Sequence, residues 1–308
     1  MGKYILKRVA AGLVTIFVLI TITFFLMHAI PGGPFSPQEE KKTPKFVLEI
    51  LNERYGLNKP VWEQYLLYLR NLIQGDFGAS YKRAGISVNR LLDVGFPISA
   101  SVGGLTIAVA LGLGVPLGVA SSVKRGKWPD YASMVFATVG ISAPPFVISV
   151  TLLYLFSMHL KWLPSLGLTS WRHYILPVAC LAFQPIAYIA RQVRSSMLDA
   201  LQQDYTRTAR AKGVSEGMVI WKHALKNSIL PVVTYLGPLV AALLTGSFIV
   251  ERLFSIPGIG RDYVASVGDR DYTLIMGMTA FFGIFVIVCN IIVDICYALI
   301  DPRVKLTD

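Results

Sequence analysis

Few side chains in this 308-residue sequence are placed to do chemistry. Four histidines, His28, His159, His173 and His223, are scattered, and no His-Glu-x-x-His spacing sets two of them on one helix face for zinc. No Gly-x-x-x-x-Gly-Lys-Ser/Thr phosphate loop is present. Gly126-Lys127 is followed by Trp128 and lacks the upstream glycine, so ATP is not held by that route. The three cysteines, Cys180, Cys289 and Cys296, lie in apolar runs and read as small buried hydrophobes rather than a disulfide framework. One acid, Asp294, sits well inside an apolar run, where a mid-membrane charge costs roughly 2.5–3.5 kcal/mol. It is about 9 Å along a helix from Ile300, near enough to reach toward the membrane surface. Asn290 is one turn away on the same face. A structural hydrogen bond to a neighbouring helix and a role in gating or the substrate path both remain open for this pair.

The elements that hold these residues are legible from composition. Hydrophobic residues make up 54% of the chain and charged residues only 15%. A soluble domain carries about 25% charged residues, so disorder and most soluble enzymes are excluded and an integral membrane protein remains. A spanning helix needs about 20 predominantly apolar residues. Six runs qualify: 9–30, 97–121, 131–158, 174–190, 228–250 and 272–300. The first follows Lys3, Lys7 and Arg8, but it is longer than a signal core and no Ala-x-Ala site follows, so it is expected to stay as a helix. Besides Pro97, which opens the second run, seven prolines lie inside the runs, Pro144-Pro145 among them, and predict kinked spans of the kind a transport path uses. Ala110, Gly114, Gly118 and Ser122 recur every four residues and predict a face for close helix packing.

The net charge of +11 serves topology rather than nucleic-acid binding, because the basic residues flank the apolar runs. Fifteen Lys and Arg fall in the N-terminus, the segments after runs 2 and 4, and the tail; five fall in the short opposite segments. Both termini are therefore expected in the cytoplasm. Four parts follow: 1–30, the N-terminus and first span; 31–96, an extracytoplasmic segment; 97–300, the core; and 301–308, the tail. Within 31–96, Thr43-Pro44 predicts a helix start, and Val61 to Ile73 predicts a second helix, broken by Gly75-Asp76-Phe77-Gly78. These two helices are expected against the outer mouth or on the lipid interface.

The cytoplasmic segment 191–227 is the most informative. Tyr205, Thr206, Arg207, Thr208, Ala209, Arg210, Ala211 and Lys212 form a short helix with alanines on one side, ending at Gly213, which can turn the chain. A second short helix over about 216–225 contains His223 and leads into the fifth span. Such a knob can pass a push from a soluble partner to the spans as a rigid body, or rest on anionic membrane lipid.

Arg207-Thr208-Ala209-Arg210-Ala211-Lys212-Gly213 followed by His223-Ala224-Leu225 and Leu230-Pro231 resembles the coupling segment of ATP-binding-cassette importer permeases, in their peptide and nickel branch. It departs from the general family pattern, with Arg207 and Thr208 where Glu-Ala is usual. Likeness extends to Ala29 through Phe35, Gln64-Tyr65 through Gly78, Phe254 through Gly260 and Ala298 through Arg303. Pro31-Gly32-Gly33-Pro34-Phe35 favours oligopeptide members over dipeptide or nickel ones. The resemblance implies an all-α, six-helix type I importer transmembrane domain with a helical extracytoplasmic insertion between helices 1 and 2. It implies no enzyme and no cofactor in this chain, ATP and Mg being bound by partners. Those partners are a second homologous permease subunit, two cytoplasmic ATPases docked on the 205–225 knob, and an extracytoplasmic peptide-binding protein. A dipeptide, nickel or other small-solute importer, an ATPase-independent carrier and a membrane-embedded enzyme are the rivals.

Overall fold

The computed structural model describes residues 2–30, 53, 56–83 and 85–300, for 2–5, 294 and 296–300 the backbone alone. The helix expected after Thr43-Pro44, the Asp294 and Cys296 side chains and the tail lie outside the described residues. The helices are α1 Gly2–Ala29, α2 Val61–Ile73, α3 Val88–Val123, α4 Trp128–Ser142, α5 Pro145–Leu152 with a π-helical continuation Leu153–His159, α6 Arg172–Gln202 and α7 Asp204–Ala211. Then come α8, built from Glu216–Met218, the π-helical Val219–Ala224 and Leu225–Ser228, followed by α9 Leu230–Leu244, α10 Phe248–Leu253, α11 Ile259–Asp269 and α12 Tyr272–Ile300. Five segments are long and apolar enough to cross a membrane, and bent α4–α5 makes a sixth when taken as one span. Among the described residues the only extended pairing is the isolated bridge between Ala79 and Ser87.

Three spans differ from their expected form, each for a local reason. α3 begins nine residues before Pro97, because the Ser87 side chain accepts the Arg90 N–H at 3.2 Å and caps the helix there. The third span is broken: Ala143 and Pro144 are extended, and the helices on either side meet at 108°. Pro145 lacks an N–H and disfavours helical backbone at the residue before it. α6 runs twelve residues past 190. Arg191 and Arg194 end the uncharged run, but buried Ile186, Ile189, Ala190, Val193, Met197 and Ala200 continue the apolar stripe at helical spacing.

The core is built on close backbone approach. Ala110, Gly114, Gly118 and Ser122 are all buried, as their spacing predicts. A Cβ on Gly118 would lie 2.6 Å from the Ala190 carbonyl and the Val193 side chain, and one on Gly114 2.9 Å from Ile189. α3 and α6 therefore touch where α3 carries no side chain, and Ile189 and Val193 of α6 pack onto its bare backbone. α4 joins them at Gly140, whose added Cβ would meet Ala187 at 2.5 Å. α1 packs on α12, with Gly12 against Ile287.

At the end of the bundle away from α7, two acids tie the connections together. Glu251 is buried and accepts from the Ser99 hydroxyl at 2.7 Å and the Arg261 N–H in the first turn of α11 at 2.9 Å. Asp271 is buried and accepts from the Ser80 hydroxyl and the Tyr81 N–H, which fastens residues 80–83 to the start of α12. α2 lies against α1 through a Thr21–Tyr65 hydroxyl pair at 2.6 Å and stacking of Phe24 on Tyr68. Its other side leaves Trp62, Leu66 and Ile73 exposed.

Candidate functional site

α7 and α8 form a knob at the end of α6. Thr206 of α7 is fully buried, with its hydroxyl directed at Leu201 O in the last turn of α6 at 3.1 Å and at Gln203 O between the two helices at 2.6 Å. The last carbonyls of a helix lack the donor one turn ahead, so the contact to Leu201 O helps to seat α7 across the end of α6, while Gln203 O also accepts the Thr206 and Arg207 N–H groups that open α7. Ala209 is buried beside it, whereas Ala211 is exposed. The expectation of alanines sharing one side is corrected here: two residues apart on a helix is about 200° around its axis. A polar residue, Thr206, takes the inward place that only the three-residue spacing to Ala209 would have disclosed.

α7 ends in a Schellman turn. The Gly213 N–H donates to Arg210 O at 2.9 Å, and the Val214 N–H donates to Ala209 O at 3.2 Å. Gly213 has φ +77°, the left-handed region that favours glycine, and open space lies where a side chain would begin. Arg210 then reaches across the turn to Glu216, with contacts of 2.7 and 3.0 Å. This bidentate pair pushes the Arg210 guanidinium up and holds the Glu216 carboxyl below its usual range. α8 buries Val219 and Ala224, and the Ser228 hydroxyl approaches Ser196 O of α6 at 3.2 Å. The knob is thus fastened to α6 at both of its ends.

Its outer surface carries Tyr205, Arg207, Thr208, Arg210, Ala211, Lys212 and Gly213, all exposed. His223 is half-buried and lies on the π-helical stretch rather than among them. Exposed Met218 and Trp221 were not singled out in the sequence and add apolar area to the same knob. Asn290 is not part of the knob but lies on α12. A Cβ on Gly237 would lie 3.3 Å from the Asn290 amide oxygen, which places Asn290 against α9.

A second cluster, unmarked by any spacing rule, lies where α3, α4 and α6 meet. Asp130, in the first turn of α4, is buried. Its carboxylate accepts from Arg194 Nη2 at 2.9 Å and Nε at 2.5 Å, from the Ser121 hydroxyl at 2.6 Å, and from the Gly126 N–H at 2.9 Å.

An exposed, basic, rigidly seated knob on a six-span bundle suits a membrane component driven by another protein, and comparison with known proteins decides the matter. Residues 114–306 match the family described as "Binding-protein-dependent transport system inner membrane component", and residues 1–100 match its N-terminal companion. The chain belongs to this family. The transport component is 46% identical over 99% of both chains to the dipeptide transport system permease protein DppB of Bacillus subtilis. It is 42% identical to the oligopeptide transport system permease protein OppB of Haemophilus influenzae, and 41% to OppB of Escherichia coli K12, over 99% of this chain and all of theirs. In fold it is similar to the MetNI methionine ABC transporter in an inward-facing conformation. The TM-score is 0.54 with 16% identity, and the match covers 68% of this chain and 96% of that one. The all-α type I importer fold expected from sequence is therefore the fold observed. The transport component is a permease of this class and not itself an ATPase.

Proposed function

We propose that this permease carries oligopeptides into the cytoplasm as one of two paired transmembrane subunits of an ATP-driven importer, with dipeptides as the second reading. Peptide as substrate is supported by its relatives, which are named for oligopeptide and dipeptide transport. Two cytoplasmic ATPases bind the ATP and Mg, one against the α7–α8 knob of each permease, and an extracytoplasmic binding protein delivers peptide to the opposite face. Residues 31–96 and the α10–α11 region belong to that delivery face, and residues 301–308 to the cytoplasmic tail. Alternating access follows from the mechanics: nucleotide closes the ATPases, the knobs move with them, and the path changes the side on which it opens. A ligand shifts such an equilibrium only by its differential affinity for the two states, so direction comes from the motor and the binding protein together.

The knob is the observation that carries the reading. A loop resting on lipid has no need for a buried Thr206 seat, a Schellman turn and a bidentate Arg210–Glu216 pair on a projecting element. The test is uptake by a strain lacking its own peptide importers and supplied with this permease and its native partners. Labelled di- and pentapeptides are expected to accumulate only when the ATPases are competent. Uptake by the permease alone in liposomes, or nickel accumulation in place of peptide, overturns the proposal.

A further inference from the structure

We propose that Asp130 and Arg194 are positioning residues that make α4 travel with α6, so that a push on the knob reaches the Pro144–Pro145 break. This rests on the coupling reading above and deepens it. Asp130 uses its carboxylate fully: two contacts from Arg194, one from Ser121 at the end of α3, and one from the Gly126 N–H in the intervening turn. One side chain thereby joins α3, the turn, α4 and α6. Arg194 stands eight residues before Gln202, about 12 Å along α6 from the knob. Ser196, two residues on, receives the Ser228 hydroxyl from α8. The same short stretch of α6 is thus gripped by the knob and pinned to α4.

Stability alone does not account for the pair, in which Asp130 is buried and Arg194 half-buried, because an ion pair taken out of water is often matched or bettered by apolar residues of equal volume. What it adds is direction. The planar guanidinium fork fixes orientation and resists sliding, whereas the glycine contacts at Gly114, Gly118 and Gly140 resist only closer approach. At its far end α4 rests on Ala187 of α6 through Gly140, three residues before the extended Ala143. With both ends of α4 held, displacement of α6 is delivered to the 108° bend and to α5 beyond it.

The test uses the assembled transporter in proteoliposomes, with ATP hydrolysis and peptide uptake measured together. Asp130→Asn and Arg194→Lys keep shape or charge but lose the fork. Both are expected to retain hydrolysis within about twofold and to lose about tenfold in peptide moved per ATP, and an unchanged ratio overturns the inference. A merely structural role would lower assembly, hydrolysis and uptake in proportion, and that result also overturns it. Spin labels at exposed Val135 of α4 and exposed Ser195 of α6 give a reading on the native pair. Their separation is expected to stay constant between nucleotide-free and ATP-bound states, and a change of several Å rules the proposal out even where a variant fails to assemble. Cross-linking from Ala211→Cys to the ATPase separates the two ideas: no cross-link means that the knob reading has failed, while a cross-link with an unchanged ratio means that only the pin has.

Discussion

Gly213 shows how narrow a conformational requirement can be at one residue. Space around its α carbon is open, so size is no obstacle, but its φ of +77° is one that most side chains resist. The penalty for an L-residue there is roughly 1–2 kcal/mol, and asparagine is among the few that bear it. Gly213→Asn is therefore expected to keep uptake near that of the native permease. Gly213→Val is expected to lower uptake per ATP several-fold while the spans still insert, and equal ratios for the two would contradict the turn's role. Across that turn, Arg210 holds the Glu216 carboxyl below its usual range. A depressed carboxylate contributes stability that is complete above the ordinary Glu value, about 4.3, and is lost as pH falls through its lower folded value. The thermal stability difference between the native permease and Glu216→Gln is therefore expected to be small and flat from about pH 6 to 9, and to shrink only in acid. A difference that grows across the neutral range would contradict the pairing. The basic face of the knob, from Tyr205 to Gly213, was legible in the sequence because turn chemistry is local. The Asp130–Arg194 pair was not, since its members stand 64 positions apart, and Thr206, whose partners lie only three to six residues back, gives no apolar signal for the inward position that it fills.

At the scale of the element, small residues decide which helices touch. Gly118 faces the Ala190 carbonyl and Val193, whereas Gly112 of the same helix faces open space. Gly118→Val inserts methyl groups where a backbone carbonyl stands, and overpacking of this kind typically costs about 1–3 kcal/mol. Gly112→Ala fills nothing and improves the helix by up to roughly 1 kcal/mol. Thermal unfolding in detergent is expected to fall for the first and to hold or rise for the second; a matching fall in both would mean that helix flexibility, not contact, matters here. The four-residue stripe was readable because period reports face. Helix length is less readable, because the charges at Arg191 and Arg194 resemble the end of a span. In fact α6 is about 46 Å long at 1.5 Å per residue, well beyond a hydrocarbon core of about 30 Å. Its last turns therefore stand clear of the bilayer and carry the knob with them.

For the whole molecule, the question is which end faces the cytoplasm. The knob end gathers the N-terminus, the turn after α3, the last turns of α6 and the knob itself, and these with the tail hold fifteen of the basic residues against five at the short opposite connections. One of the fifteen, Arg194, is half-buried and paired with buried Asp130. A paired charge in a buried site is a weak topological signal, yet removing it leaves the bias close to threefold. Orientation is governed by Lys and Arg in short segments near span ends, so the remaining residues suffice. Single cysteines tested in a background without the native three are expected to follow this polarity. A cysteine at exposed Lys222 should react with a membrane-impermeant maleimide in inverted vesicles and not in intact cells, and one at exposed Ser170, ahead of α6, should do the reverse. The opposite pattern would put the knob on the side where no ATPase can reach it, and the coupling reading, with the Asp130–Arg194 linkage that depends on it, would fall together.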